Sequence, residues 1–145
     1  MTPAWPHPRS RTAGIVAAAV VAAASACAQA TDLTARCDNG AAIPVTVSNA
    51  TTTPVFAWEK SCAAWSLNVT YPDSLGNPIS VWGQSNPNFY NDIGSPVTYG
   101  RYANGQLTVP PAKPLVVGRS YTVTVIGWDA ANGRSLFTGT GTFVH

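Results

Sequence analysis

A run of alternating residues near the C-terminus constrains the fold more than any other stretch of the chain. Residues 121–128 read YTVTVIGW, in which Tyr121, Val123 and Val125 alternate with threonines. Side chains that alternate with period two lie on opposite faces of a β-strand, and β-branched and aromatic residues suit a pleated, half-buried surface. A second such run ends at Val144, after a turn that contains Asn132-Gly133. The sequence therefore predicts a β-hairpin within residues 114–144.

The second arm of this hairpin holds glycines where large side chains are expected. Phe137 and Phe143 share one face of the predicted strand, and Gly139 and Gly141 lie between them on that face. Glycine weakens a strand unless something packs closely against it. We expect either a large ring from a neighbouring strand to cover the gap, or a bulge or a poorly ordered end.

The rest of the chain reads as short strands separated by turns. The clearest strand runs from Trp65 to Tyr71, with large apolar residues at every odd position and small polar residues between them. Turn-forming residues fill 72–78, Asn104-Gly105 is a strong hairpin signal, and Pro44 indicates an edge strand. Further candidate strands are 43–47, 55–58, 79–82, 97–102 and 106–109. This pattern predicts an all-β fold, a single antiparallel β-sandwich of about seven strands.

The N-terminal segment has the features of an export signal. Arginines precede an apolar run at 14–24 that is too short to span a membrane, and A-Q-A at 28–30 is a cleavage signal of small residues. We predict a signal peptide over residues 1–30 and a β-sandwich domain over 31–145.

The same segment has a second interpretation. Residues 24–27 read ASAC and resemble a bacterial lipobox, in which the cysteine is lipidated and becomes the mature N-terminus. In that case Cys27 would attach the protein to the membrane, which the domain would not otherwise contact.

The charge of the mature domain argues against two classes of partner. Two of the eight basic residues lie in the signal segment, which leaves six basic and six acidic residues in 31–145 and a formal net charge of zero. A neutral domain has no electrostatic basis for binding nucleic acid or anionic lipid.

Cysteine usage agrees with export. Cys37 and Cys62 are the two cysteines that follow the signal segment. We expect an oxidising compartment to join them in a disulfide, which typically contributes about 2–4 kcal/mol. A metal site or a reactive thiol is the alternative, and two cysteines without a nearby histidine make a poor zinc site.

The C-terminal hairpin also resembles a known group of domains. Residues 113–120 read KPLVVGRS and precede the strand YTVTV, as in fibronectin type III and bacterial immunoglobulin-like domains; DAANG at 129–133 and GTF at 141–143 fit the bacterial version. Val117 stands where those families usually have proline. The resemblance implies a sandwich with a tyrosine corner at Tyr121, and it implies no catalytic residue.

The side-chain inventory favours a non-enzymatic protein without a cofactor or a metal. His145 is the one histidine after residue 30, so a Ser-His-Asp or Cys-His arrangement lacks a base. Asp73, Asp92 and Asp129 are candidates for a calcium site if they meet at one end of the sandwich, although aspartate is common in turns for its own sake.

Aromatic residues outside the strand pattern are the candidates for binding. Residues 83–96 form the longest segment without a pattern and hold Phe89 and Tyr90, flanked by Asn88 and Asn91. We expect one ring to anchor the loop and the other to face solvent. Further binding candidates are Trp82, Tyr99 and Tyr102, and Trp128 is equally hard to place. The rings expected to face the core are Trp65, Tyr71, Tyr121, Phe137 and Phe143.

These observations together predict an exported binding or structural module, periplasmic or extracellular, or alternatively a lipid-anchored protein of the cell envelope. Its partner is an unidentified protein or glycan. One alternative is a carbohydrate-binding module that uses exposed aromatic side chains. Others are a secreted enzyme inhibitor that presents residues 83–96, and a hydrolase with two converging carboxylates.

Processing gives the first test. Because the A-Q-A motif ends at Ala30, the intact mass of the exported protein should correspond to a chain that begins at Thr31. A mass that corresponds to a diacylated chain beginning at Cys27 would contradict cleavage after Ala30.

Overall fold

The computed structural model describes residues 37–102, 106–108 and 111–145, and these residues form two β-sheets without an α-helix. The larger sheet has the strand order β1-β9-β8-β4-β5-β7, and the smaller sheet has the order β2-β3-β6. The strands are β1 (Ala41–Pro44), β2 (Thr46–Ser48), β3 (Val55–Ala57), β4 (Ser66–Pro72), β5 (Pro78–Ser85), β6 (Val97–Thr98), β7 (Leu107–Thr108), β8 (Ser120–Asp129) and β9 (Arg134–Val144). The all-β prediction is confirmed, and two sheets are compatible with a sandwich. The predictions for residues 1–30, including lipidation of Cys27, lie outside the described residues.

The predicted C-terminal hairpin is the longest antiparallel pair of strands. Strands β8 and β9 pair from Ser120 with Val144 to Asp129 with Arg134, with an irregularity between Gly127 and Trp128. The side chains of Tyr121, Val123 and Val125 are buried, as their alternation predicts. The Val116 N–H donates to the Tyr121 hydroxyl oxygen at 2.8 Å.

Carboxylates in two turns stabilise the hairpin connections. In the β4–β5 turn, Asp73 accepts hydrogen bonds from the backbone and side chain of Asn77, which hold the pKa of its carboxyl below the usual value. In the β8–β9 turn, the Asn132 side chain is the main cause of the lowered pKa of Asp129. Both aspartates therefore favour their turns in the ionised form.

Two of the predicted connections are wrong. Strand β5 extends to Ser85, so the first three residues of the segment 83–96 belong to the sheet and the loop begins at Asn86. The turn at 104–105 lies outside the described residues, and the strands around it do not form a hairpin. Strand β6 pairs with β3 in the small sheet, whereas β7 pairs with β5 in the large sheet.

The N-terminal stretch passes from one sheet to the other. Strand β1 lies parallel to β9, and the Val45 N–H donates to the Thr140 carbonyl at 3.1 Å before β2 joins β3. A Cβ on Gly141 would lie 2.3 Å from the Val45 carbonyl oxygen, and one on Gly139 would lie 2.5 Å from Val125 Cγ2 and 2.9 Å from Ile43 and Val45. The crossing chain fills the space above Gly141 and, together with Val125 of β8, the space above Gly139. The expected covering ring, bulge or disordered end is therefore wrong.

Aromatic rings form a continuous row through the core. Phe56 lies 6.3 Å from Trp82 and 5.7 Å from Phe143, measured between ring centroids, and Phe143 lies 5.4 Å from Tyr121. Tyr71 continues the row and is partly buried. The expectation that Phe137 and Phe143 face the core is confirmed by their burial, while Trp65 is partly buried and lies outside the core cluster, so its expected place in the core is wrong.

The predicted disulfide between Cys37 and Cys62 is confirmed. It ties the residue shortly before β1 to the segment after β3, and it is consistent with an oxidising, exported compartment. Within the described residues, no helix has the length and apolar character needed to cross a membrane.

The crossing makes a prediction about Gly141. Replacement by alanine would place a methyl group against the Val45 carbonyl, so we expect Gly141→Ala to lower the free energy of unfolding by about 1–3 kcal/mol in urea titrations. Gly94→Ala is the matched control, because nothing lies within 4 Å of a Cβ built at Gly94. Equal unfolding midpoints for the two variants would contradict a tight crossing.

Candidate binding site

The loop from Asn86 to Pro96 starts at a buried asparagine. The backbone of Asn86 donates to the Trp65 carbonyl at 3.0 Å, and the Trp65 indole N–H donates to the Asn86 carbonyl at 2.8 Å. The side chain of Asn86 accepts a hydrogen bond from the Asn88 N–H at 2.7 Å and donates one to the Asp92 carboxylate at 2.5 Å. This side chain therefore shapes the loop from within, because it satisfies donors and acceptors on both arms.

Asn91 attaches the middle of the loop to the large sheet. Its side-chain amide donates to the Trp128 carbonyl at 2.8 Å, and its side-chain oxygen accepts from the Trp128 N–H at 2.7 Å. This pair of bonds reproduces the pattern of a strand partner at the place where the β8–β9 register is irregular. Asn91 is thus an anchor of the loop rather than a free hydrogen-bonding group.

The end of the loop is held by two further contacts. Ala64 and Ile93 form an isolated antiparallel bridge in which both N–H groups donate at 2.9 Å. The Ser95 hydroxyl accepts from the Trp58 N–H and donates to the Trp58 carbonyl, both at 2.9 Å. With its start, middle and end attached, the loop presents its tip in a defined conformation.

The tip carries Phe89 in an uncommon backbone conformation. Phe89 closes a turn by donating its N–H to the Asn86 carbonyl at 3.2 Å, and its φ of 62° lies in the left-handed region. A bulky residue there costs about 1–3 kcal/mol and persists only where the surroundings enforce it. The ring of Phe89 stacks on Trp65 with 5.2 Å between centroids and 23° between planes. That stacking offsets part of the cost.

Three rings meet at this position and form what we term the aromatic patch: Trp65, Phe89 and Trp128. Trp128 lies 5.6 Å from Trp65 and 6.5 Å from Phe89, again between centroids. Phe89 remains 47% exposed, and the adjacent Tyr90 is 67% exposed. Phe89 is thus both an anchor and a surface group, while Tyr90 faces solvent beside the patch. Asn88 is also exposed at the tip.

The other aromatic candidates belong to a different ring cluster at one end of the core row. Tyr99 and Tyr102 lie 5.1 Å and 5.8 Å from Trp82 between centroids. Trp82 is fully buried, so its assignment to a binding surface is wrong. Tyr99 donates to the Lys113 carbonyl at 2.7 Å, and burial raises its pKa to about 12. Tyr102 is 41% exposed, and its hydroxyl accepts from the Ala112 N–H at 3.2 Å.

The three aspartates do not converge. Asp73 lies in the β4–β5 turn and Asp129 in the β8–β9 turn. Because β4 and β8 are antiparallel partners, these two turns lie at opposite ends of the large sheet. Across residues 37–102, 106–108 and 111–145 no group of three or more histidine, cysteine, aspartate or glutamate side chains is placed to hold a metal ion.

Sequence reasoning missed the base of the aromatic patch. Trp65 fits the alternation of the strand that follows it, but it precedes β4 and its indole is held by Asn86. Trp128 follows Gly127, where the register changes, so period two no longer predicts its face. A glycine next to a tryptophan at a strand end is the one signal that the sequence offers for such an irregularity.

Comparisons with family models, with curated proteins and with solved structures find no match to this chain.

The role of Asn91 as an anchor is testable. We expect Asn91→Ala to lower the free energy of unfolding by about 1–3 kcal/mol, because it leaves the Trp128 N–H and carbonyl without their partners. Hydrogen exchange should show faster exchange of the Trp128 amide. Asn88→Ala is the matched control, since its exposed side chain makes no hydrogen bond among the described residues. If both variants leave the Trp128 amide equally protected, Asn91 is not the anchor.

Proposed function

We propose that the protein is an exported, non-enzymatic binding module whose contact surface is the tip of the loop Asn86–Pro96. The observation that carries this proposal is the pair of exposed side chains, Phe89 and Tyr90, on a loop that hydrogen bonds hold in place. Exposed apolar side chains that are grouped and held rigid mark interaction sites more often than scattered ones do.

Rigidity favours a binding role for these rings. Ordering a side chain or loop at the moment of binding costs free energy, and a site already ordered in the free protein avoids that cost. Tyrosine and tryptophan supply large contact areas with few rotatable bonds. The Phe89 ring is already ordered by its stacking on Trp65, and the next residue, Tyr90, adds an exposed ring.

A purely structural cap is the main alternative to a binding role. A cap would bury its rings against the sheet, as Trp82 and Tyr99 do at the end of the core row. Tyr90 has no ring contact among the described residues and is two-thirds exposed. Its exposure beside an anchored neighbour supports a contact surface.

We propose a sandwich of the immunoglobulin or fibronectin type III kind, on two grounds. The strands β2, β3 and β6 share one sheet, while β4, β8 and β9 share the other, which parallels the division of strands A, B, E and C, F, G in those domains. The hydrogen bond from Val116 to the Tyr121 hydroxyl parallels their tyrosine corner.

The surroundings of His145 and Asp92 support the absence of catalysis. The Nδ1 atom of His145 lies 2.6 Å from the Ala50 carbonyl, so the ring is engaged at the chain end. The Asp92 carboxylate accepts from Asn86 and from Gln106 at 2.8 Å, which suits a structural role. We place the mature domain in the periplasm or outside the cell, or on a membrane if Cys27 is lipidated.

Single alanine variants test the contact surface. Immobilised protein is incubated with cell-envelope and secreted fractions of the producing organism, and the retained material is quantified. We expect Tyr90→Ala to reduce retention by at least about tenfold while its stability changes by less than about 0.5 kcal/mol. Phe89→Ala should lower both retention and stability, because it removes the stacking on Trp65.

Leu75→Ala is the control, since Leu75 is 84% exposed in the β4–β5 turn, far from the loop. Protease or periodate treatment of the fractions shows whether the retained partner is protein or glycan. If neither Phe89→Ala nor Tyr90→Ala changes retention, the loop is scaffold and the proposal fails.

A further inference from the structure

A groove of about 320 Å³ runs along the outer face of the large sheet and ends at the aromatic patch. That volume falls at the lower end of the range typical of small-molecule sites, about 300–1,000 Å³. Its lining includes Trp65, Ser66, Asn68, Gly83, Ser85 and Ile126. Trp65 therefore belongs to both the groove and the patch, and it joins them into one surface.

Strand register explains why a groove forms on this face. Ser66 lies opposite Ser85 on one side and Ile126 on the other, so small hydroxyl side chains stand beside an aliphatic one. In the next row, Asn68 lies opposite Gly83, which contributes no side chain. These small side chains leave a depression in the sheet surface between Asn68 and the aromatic patch.

The groove offers neutral hydrogen-bonding groups that are free to act. The hydroxyls of Ser66 and Ser85 make no hydrogen bond to any described residue. The side-chain oxygen of Asn68 accepts from the Ser80 hydroxyl at 2.6 Å, which fixes the orientation of the amide. Both N–H groups of Asn68 remain available as donors. Among the described residues that line the groove, none is charged.

We propose that the groove and the aromatic patch together bind a neutral oligosaccharide. This inference rests on the proposed function and names its ligand class. A sugar ring carries an apolar C–H face, which packs on an aromatic ring, and hydroxyls around its rim, which exchange hydrogen bonds with amides and hydroxyls. Trp65 and Phe89 supply the aromatic surfaces, and Asn68 supplies oriented donors.

The composition of the groove favours a glycan over a protein partner. The buried centres of protein interfaces are depleted in serine, whereas two serines lie in the groove. A neutral lining offers no charge to an acidic peptide or to a phosphate group. The fixed Trp65 indole, which donates to the Asn86 carbonyl at 2.8 Å, gives the groove an ordered end without a ligand.

The test uses the disulfide-bonded protein and purified gluco-, xylo-, manno- and chito-oligosaccharides. Binding is followed by tryptophan fluorescence, to which Trp65 and Trp128 contribute along with Trp58 and Trp82, and by isothermal titration calorimetry. We expect saturable binding of at least one of these neutral oligosaccharides. Asn68→Asp keeps the acceptor for Ser80 but removes both N–H donors, so we expect it to weaken that binding by at least about tenfold, equivalent to about 1.4 kcal/mol.

Phe89→Ala should weaken binding as well, and Asn68→Ala checks that the effect of Asn68→Asp is not due to its added charge. Thr142→Ala is the control on the same sheet face, since Thr142 is exposed on β9 and does not line the groove. Unfolding midpoints for each variant separate lost binding from lost folding. Binding that is unchanged in Asn68→Asp and Asn68→Ala would overturn the assignment of the groove.

The two proposals fail separately. If no oligosaccharide binds, while retention of a protease-sensitive partner depends on Tyr90, the glycan inference is wrong and the binding module stands. If no oligosaccharide binds and retention is independent of Phe89 and Tyr90, both proposals are wrong.

Discussion

The passage of the chain from one sheet to the other at Val45 is the constraint on which the fold depends. Strand β1 pairs with β9 in the large sheet and β2 pairs with β3 in the small one, so one short stretch joins both. The stretch crosses closely because Gly139 and Gly141 leave room for it, and the Val45 carbonyl occupies the space of an absent Cβ. The glycines that weaken β9 as an isolated strand are what allow the two sheets to close over the aromatic row.

The candidate site is built by side chains that take the place of regular strand pairing. Asn86 and Asn91 satisfy backbone groups at a turn and at an irregular strand end, where no neighbouring strand is available. Their amides carry both donors and acceptors, so Asn86 joins the Asn88 N–H to the Asp92 carboxylate, while Asn91 pairs with both backbone groups of Trp128. The resulting order holds Phe89 in a left-handed conformation against Trp65, and the exposed faces of the patch follow from that placement.

Local patterns predict the parts of this structure that depend on local chemistry. The alternation from Tyr121 to Val125 predicts β8 and its buried face, and the two cysteines predict their bridge. The same rules fail where distant residues decide the outcome. The filling of the space at Gly141 depends on Val45, and the position of the Trp65 ring depends on a hydrogen bond to Asn86. In the candidate site, the exposed ring of Tyr90 is predictable because the residue lies in a loop. The pairing of Asn91 with Trp128 is not predictable, because the two residues are 37 positions apart in the sequence.

The bridge between Cys37 and Cys62 has a mechanical consequence. It closes a covalent loop around β1, β2 and β3, with a sequence separation of 25 residues. Tension applied on the N-terminal side of Cys37 would pass through the sulfur atoms to Cys62, which is buried in the core. The strands inside the loop would not be peeled from the sheet edges one after another. If the domain were tethered on the N-terminal side of Cys37 and bound a ligand at the tip of the loop Asn86–Pro96, force would therefore pass through its interior.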